Sequence, residues 1–148
     1  MPDYKKDINI FLTRIFNHIL SYEQRCLNEP KSNLTINDFH TIEQIGLDGN
    51  KKMTDIADAM GVTLATMTSA ADRLEKKGCI RRERSMSDRR IVLLSLTRFG
   101  RVMCKLHDRF HERMVNKATE NLTAEEMETL FHALSKLNDF FEGANNKI

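Results

Sequence analysis

The spacing of apolar positions predicts helices along most of the chain, with one change of period after residue 78. From Asp7 to Leu27, Ile8, Phe11, Leu12, Ile15, Phe16, Ile19 and Leu20 recur at steps of three and four, which predicts a helix. Its stripe is broader than a lone surface helix needs. Glu29 to Asn33 reads as a loop. Thr35 is placed to cap a second helix, with Asp38 three residues on as a capping-box mate and Phe39, Ile42 and Ile45 as the apolar face. Gly46 to Asn50 ends that helix. A short helix follows, from Thr54 to Met60, and Gly61 stops it. Thr63 can cap the next, which runs to Lys77 and stops at Gly78. Two short helices joined by a tight glycine-containing turn form a helix-turn-helix.

Beyond Gly78 the period becomes that of strands. Cys79 to Arg84 reads as a charged strand, Met86 to Arg90 as a turn, and Ile91 to Leu96 as a β-branched, apolar strand. This hairpin, directly after the helix-turn-helix, is a wing. Thr97 then caps a long helix, from Arg98 to Asn121, with Phe99, Val102, Met103, Leu106, Phe110 and Met114 as its stripe. Thr123 caps a last helix, with Glu126 at the capping-box position and an aromatic-rich stripe that includes Phe131, Phe140 and Phe141. The expected fold is mainly α with a two-stranded β wing.

On a wheel of about 100° per residue, Met67, Ala70, Ala71 and Leu74 share one face of the second short helix. The opposite face carries Ala65, Ser69, Asp72 and Lys76, flanked by Thr66, Thr68 and Arg73. Short hydroxylic side chains allow close approach to a major groove, where they can hydrogen-bond base edges and meet a thymine methyl. The free N–H groups at the helix start suit a phosphate.

Composition adds little until charge is placed along the chain. The 148 residues are 41% hydrophobic and 30% charged, enough for one core-forming subunit. The formal net charge is only +2, but Arg73 to Lys105 carries +8 and Glu120 to Glu142 carries −5. A basic middle is the footprint of a polyanion-binding surface. No apolar run approaches about 18 residues, so no membrane span is expected. The start, MPDYKKDIN, lacks an apolar signal core, which reads as a cytoplasmic location. Cys26, Cys79 and Cys104 are too few and too widely spaced for a disulfide framework or zinc ribbon.

The run Met53-Thr54-Asp55-Ile56-Ala57-Asp58-Ala59-Met60-Gly61-Val62 is followed by Arg73-Leu74-Glu75-Lys76-Lys77-Gly78. Ser87-Asp88-Arg89-Arg90 and Leu96-Thr97-Arg98-Phe99-Gly100 come next in order. Together they resemble the MarR family of winged helix-turn-helix regulators, and the resemblance covers the whole chain. It implies a homodimer on a pseudo-palindromic DNA operator. Residues 35–97 would form the DNA-binding lobe, and residues 1–34 and 98–148 mainly the dimerisation helices. The resemblance puts the recognition helix in the major groove and the wing in the minor groove. Arg90 would enter that groove, oriented by Asp88, with Arg89 as a second candidate. A narrow A·T-rich minor groove attracts an inserted arginine. The expected DNA-binding set is Thr63, Thr66, Thr68, Ser69 and Arg73 near bases, with Lys76, Arg81, Arg82 and Arg84 on phosphates.

Further runs resemble the FabT-type branch of the family, bacterial repressors of fatty-acid synthesis genes. These are Ile10 to Asn17, Phe39-His40-Thr41-Ile42 and Leu106 to Val115. The branch implies a long-chain acyl group on acyl carrier protein as co-repressor. An acyl tunnel is expected along Phe11, Ile15, Phe16, Ile42, Ile45, Met103, Leu106 and Phe110, although each of these can equally fill a core. Lys5, Lys6, Arg14 and Arg109 are candidate docking cations for the acidic carrier.

Two other effectors remain open. His107 and His111 are four apart, a usual spacing for zinc ligands on one helix face, and Glu23 and His40 would complete four. Cys26 beside Arg25 is a weak redox candidate, because a helix C-terminus disfavours a thiolate. An enzyme is not expected: no phosphate-binding glycine loop, nucleophile elbow, HExxH or CxxC occurs, and no cofactor motif is present. Glu125 and Glu126 are better explained as first-turn carboxylates that suit the helix dipole.

Overall fold

The computed structural model describes residues 3–27 and 33–145, so most of the expected Glu29–Asn33 loop lies outside the described residues. The described elements are α1 (Tyr4–Leu27), α2 (Ile36–Ile45), β1 (Lys51–Lys52), α3 (Met53–Ala59), α4 (Leu64–Lys76), β2 (Ile80–Arg84), β3 (Val92–Leu96), α5 (Arg98–Thr119) and α6 (Ala124–Asn145). Two compact units result, Met1–Phe110 and His111–Ile148. The division falls within α5. No helix of the described residues is long and apolar enough to cross a membrane.

Local chemistry sets the helix starts. Thr35 Oγ1 accepts the Asp38 N–H at 3.2 Å, and Asp38 accepts the Thr35 N–H at 2.9 Å, a complete capping box. Thr63 Oγ1 accepts the Thr66 N–H at 3.1 Å and so starts α4. At α6, Thr123 and Glu126 form the same reciprocal pair as at α2. Gly61 and Gly78, with φ of 65° and 74°, take the left-handed turns that end α3 and α4.

The core of the first unit sits under the helix-turn-helix. Phe39, Ile42 and Ile45 of α2 are fully buried with Ile56 of α3, Met67, Ala71 and Leu74 of α4, and Ile80, Leu94 and Leu96 of the sheet. The inward face expected for α4 is thus the buried one. Asp38 ties this core together from its edge. Its carboxylate is buried and accepts the Lys77 ammonium at 2.8 Å, joining the start of α2 to the end of α4.

Three features differ from the sequence reading. The wing hairpin pairs β2 with β3, Ile80 opposite Leu96 and Arg84 opposite Val92, but β1 adds a third antiparallel strand on the other side of β3. Two lysines carry no apolar alternation. Their extension is imposed by β3, where Lys51 lies opposite Leu94.

The second difference is on α5. Its buried side within the first unit is Gly100, Cys104, His107 and Phe110, while Phe99, Val102 and Leu106 stay exposed. A glycine and a small thiol let the helix approach its neighbours closely, so the apolar stripe and the packed face are not the same.

The third concerns the expected acyl tunnel. Phe11, Ile15 and Phe16 are 58%, 52% and 63% exposed, whereas Ile42 and Ile45 are completely buried in the core. Leu106 is exposed, Met103 half-buried and Phe110 buried. The eight residues therefore do not line one enclosed tunnel in the single chain. Only Glu23 and Leu27, near the end of α1, are buried, so most of its stripe lies beyond the reach of this core.

Candidate nucleic-acid interface

The site grows from the capped start of α4 and the turn of the wing. Thr63, Thr66, Thr68 and Ser69 are all exposed on the first turns of α4. Their hydroxyls are not idle: Thr63 and Thr66 Oγ1 lie 2.9 Å apart, and Thr68 and Ser69 donate back to Leu64 and Ala65 carbonyls at 2.8 and 3.2 Å. Each still has acceptor capacity for a base edge. Arg73 and Lys76 extend the exposed face toward the C-terminus of the helix.

In the wing, the Ser85 N–H donates to the Ile91 carbonyl and the Ile91 N–H to the Asp88 carbonyl, closing the turn. Asp88 accepts the Arg90 backbone N–H at 3.0 Å and holds its guanidinium through Oδ1 at 3.2 Å and Oδ2 at 3.3 Å. The Arg90 side chain is nevertheless 92% exposed. It is an outstretched cation with a fixed base, as the Asp-x-Arg resemblance implies. The hydrogen bonds from Arg90 hold the Asp88 carboxyl below its ordinary range. Arg89 is exposed beside it, and Arg84 donates to the Arg89 carbonyl at 2.7 Å, latching the turn to β2.

The cations expected to face DNA separate into two kinds. Arg73, Lys76, Arg81 and Arg89 are exposed and make no ion pair among the described residues. Arg82 is engaged instead. Its Nε and Nη2 donate to Glu75 Oε2 at 3.1 and 2.7 Å, and Nη2 also pairs with Asp72. Its hydrogen bonds to Glu75 and then to Asp72 hold its pKa above the ordinary arginine value. Arg82, expected on a phosphate, is half-buried, and strand alternation turns it toward α4, where the two carboxylates hold its guanidinium. Asp72 and Glu75 were missed as its partners, although acids three apart on a helix in a basic stretch were the available signal.

A cleft of about 550 Å³ lies between α4 and the wing, lined among others by Met53, Leu64, Thr68, Arg84, Arg90 and Val92. It exists only because the hairpin folds back beside α4, and no sequence pattern marks it.

Glu23, His40 and His107, of the alternative effector set, occupy another part of the first unit. Glu23 Oε1 is 2.6 Å from His107 Nε2 in a buried hydrogen bond and 3.5 Å from His40 Nε2. The His107 ring stacks on Phe39, and Glu43 approaches its Nδ1 at 3.7 Å. His111 falls in the second unit. Burial pushes the Cys79 thiol up to about 11, and Cys104 is raised for the same reason, so neither is a ready thiolate. Cys26 is half-buried.

A capped helix of short hydroxylic side chains, beside a hairpin that extends an anchored arginine, defines a winged helix-turn-helix DNA-binding protein. Comparison with known proteins agrees. Residues 34–92 match the MarR family model. The chain is 31% identical over 129 residues to the multiple antibiotic resistance protein MarR of Salmonella typhimurium, covering 85% of this chain and 90% of that one. It is 34% identical over 100 residues to the uncharacterized HTH-type transcriptional regulator YfiV of Bacillus subtilis, of which it spans 62%. It is also similar to Streptococcus pneumoniae FabT in the crystal structure of its complex with DNA. That match has a TM-score of 0.90 and 38% identity, over 96% of this chain and 99% of that one. The chain belongs to the MarR family, and it is a DNA-binding transcriptional regulator, not an enzyme.

Proposed function

We propose that this protein is a repressor of fatty-acid biosynthesis genes. It binds a pseudo-palindromic operator as a homodimer in the cytoplasm, with long-chain acyl-acyl carrier protein as co-repressor. The observation that carries this reading is the likeness to the FabT–DNA structure, which extends over nearly the whole chain and not only the 34–92 lobe. The apolar faces support a dimer. Phe11, Ile15 and Phe16 on α1, and separately Phe131, Leu134, Phe140 and Phe141 on α6, are more than half exposed. Contiguous exposed apolar area of this kind marks an interaction surface.

The acyl chain is assigned to the open apolar side of α1, where Phe11, Ile15 and Phe16 stand, while Ile42 and Ile45 serve the core. Lys5, Lys6, Arg14 and Arg109 are exposed and remain the proposed docking cations for the carrier. A dimer must present its recognition helices roughly 34 Å apart to meet successive major grooves. A co-repressor acts by favouring the conformation with that spacing. The test is fluorescence anisotropy on an A·T-rich palindrome from the gene's own promoter or a fatty-acid gene promoter. Tightening with long-chain acyl carrier protein, and not with unloaded carrier, is the expected result; equal response to both would overturn it.

A second reading, zinc response, is favoured by the convergence of His40 and His107 on Glu23. In the same titration, DNA binding that requires zinc and is abolished by chelator would replace the lipid reading.

A further inference from the structure

We propose that Arg82 is a positioning residue: it clamps the wing to the recognition helix through Asp72 and Glu75, sets the angle between the two DNA-reading elements, and takes no phosphate. The argument begins with strand register. Ile80, Arg82 and Arg84 share one face of β2, because successive side chains alternate. Ile80 is fully buried on that face, and Arg82 lies opposite Leu94, which is also fully buried. The Arg82 stem thus continues the core side of the sheet, and its head emerges against α4.

There it meets two acids one turn apart. Glu75 takes Nε and Nη2 together, and Asp72 takes Nη2 as well. A planar guanidinium bonded through two nitrogens to two carboxylates fixes direction as well as distance. The wing and α4 are separate in sequence and joined by a glycine turn at Gly78. Buried Ile80 and Leu96 anchor the base of the hairpin, and the clamp ties its outer part to α4. With it, Arg90 and the Thr66–Ser69 face are held in one frame.

The clamp also removes a charge conflict. Asp72 and Glu75 stand on the same helix as Arg73 and Lys76 and would repel a phosphate backbone; Arg82 binds both carboxylates and offsets one of their two charges.

The experiment uses the full chain, an operator duplex and a random duplex of the same length, with binding measured across a salt series. Arg82→Gln keeps the stem. We expect operator affinity to fall roughly 5- to 50-fold at fixed salt, the scale of a lost coupling between two elements. The slope of log K against log salt is expected to match the parent. Arg81→Gln, on the opposite face of β2, is the reference, and it should flatten the slope by about 0.9 per subunit. If Arg82→Gln flattens the slope as Arg81→Gln does, or leaves affinity unchanged, the proposal fails.

Asp72→Asn with Glu75→Gln removes the anchors and leaves Arg82 in place. The two carboxylates are 49% and 43% exposed, so this variant is expected to fold even if Arg82→Gln does not. Random-duplex binding should rise, because two negative charges are lost, while the operator-to-random ratio falls. An unchanged ratio would show that the acids matter only as charges and would overturn the clamp. Arg82→Lys should restore part of the ratio.

Discussion

The carbonyl oxygen of Cys79 stands 2.0 Å from the position a Cβ on Gly100 would occupy. The first turn of α5 is pressed onto the end of the α4–β2 connection at a distance only a glycine permits. Thr97 secures the contact from three sides. Its N–H donates to the Cys79 carbonyl at 3.0 Å, its hydroxyl donates to the Gly78 carbonyl at 2.6 Å, and the same oxygen accepts the Gly100 N–H at 3.1 Å. The helix that leaves the DNA-binding lobe is thereby fixed to the base of its wing.

Gly100→Ala should therefore destabilise the fold by about 1–3 kcal/mol, the usual cost of forcing a methyl into a packed site. The opposing atom is backbone and cannot rotate away. A denaturant midpoint equal to that of the parent would show that α5 can lift off Cys79 freely.

Asp38 supplies a pH dependence whose sign follows from its partners. Burial alone raises its pKa, but the Lys77 ammonium and the Thr35 N–H outweigh that, and the carboxyl ends below its ordinary 3.8. A carboxyl with a lowered pKa in the folded state stabilises the protein above the unfolded value and loses that contribution as pH falls through the folded one. The difference in Tm between the parent and Asp38→Asn should be constant from about pH 7 to 5 and shrink below about pH 4. A difference that is already shrinking at pH 6 would assign the effect to another group.

Arg90→Ala should weaken operator binding by roughly 1–3 kcal/mol, most of it on A·T-rich wing sites. Asp88→Ala should cost less, because the guanidinium remains and only its orientation is lost. Equal binding of Arg90→Ala and the parent would remove the wing from the groove.

The salt dependence gives an overall check. A dimer that touches about eight phosphates should show a slope of log K against log salt near −7. A slope near zero would contradict the basic stretch from Arg73 to Lys105 as the binding surface.

Much of the site was legible in the chain because it rests on local rules. Thr35, Thr63, Thr97 and Thr123 announce helix starts by residue type, and Met67, Ala70, Ala71 and Leu74 announce a buried face by spacing alone. Arg90 was legible through the resemblance of its turn to a known wing, and its aspartate partner lies two residues away. Which of the apolar residues proposed for an acyl chain are enclosed was not legible. Phe11 and Ile42 look alike in a periodicity plot, yet one is more than half exposed and the other has no exposure at all.

The sequence by itself determined the order of helices and strands, the inward face of α4 and the chemistry of the wing turn. Caps, glycine turns and apolar periods act over three or four residues and need no partner to be read. Tertiary structure decided the rest. It drew Lys51 and Lys52 into the sheet, chose the Gly100–Cys104–His107 side of α5 for burial, and carried Glu23 to His107. It also turned Arg82 from solvent to Asp72 and Glu75. Those outcomes depend on which surfaces meet across long stretches of chain, and a local pattern holds no record of the partner.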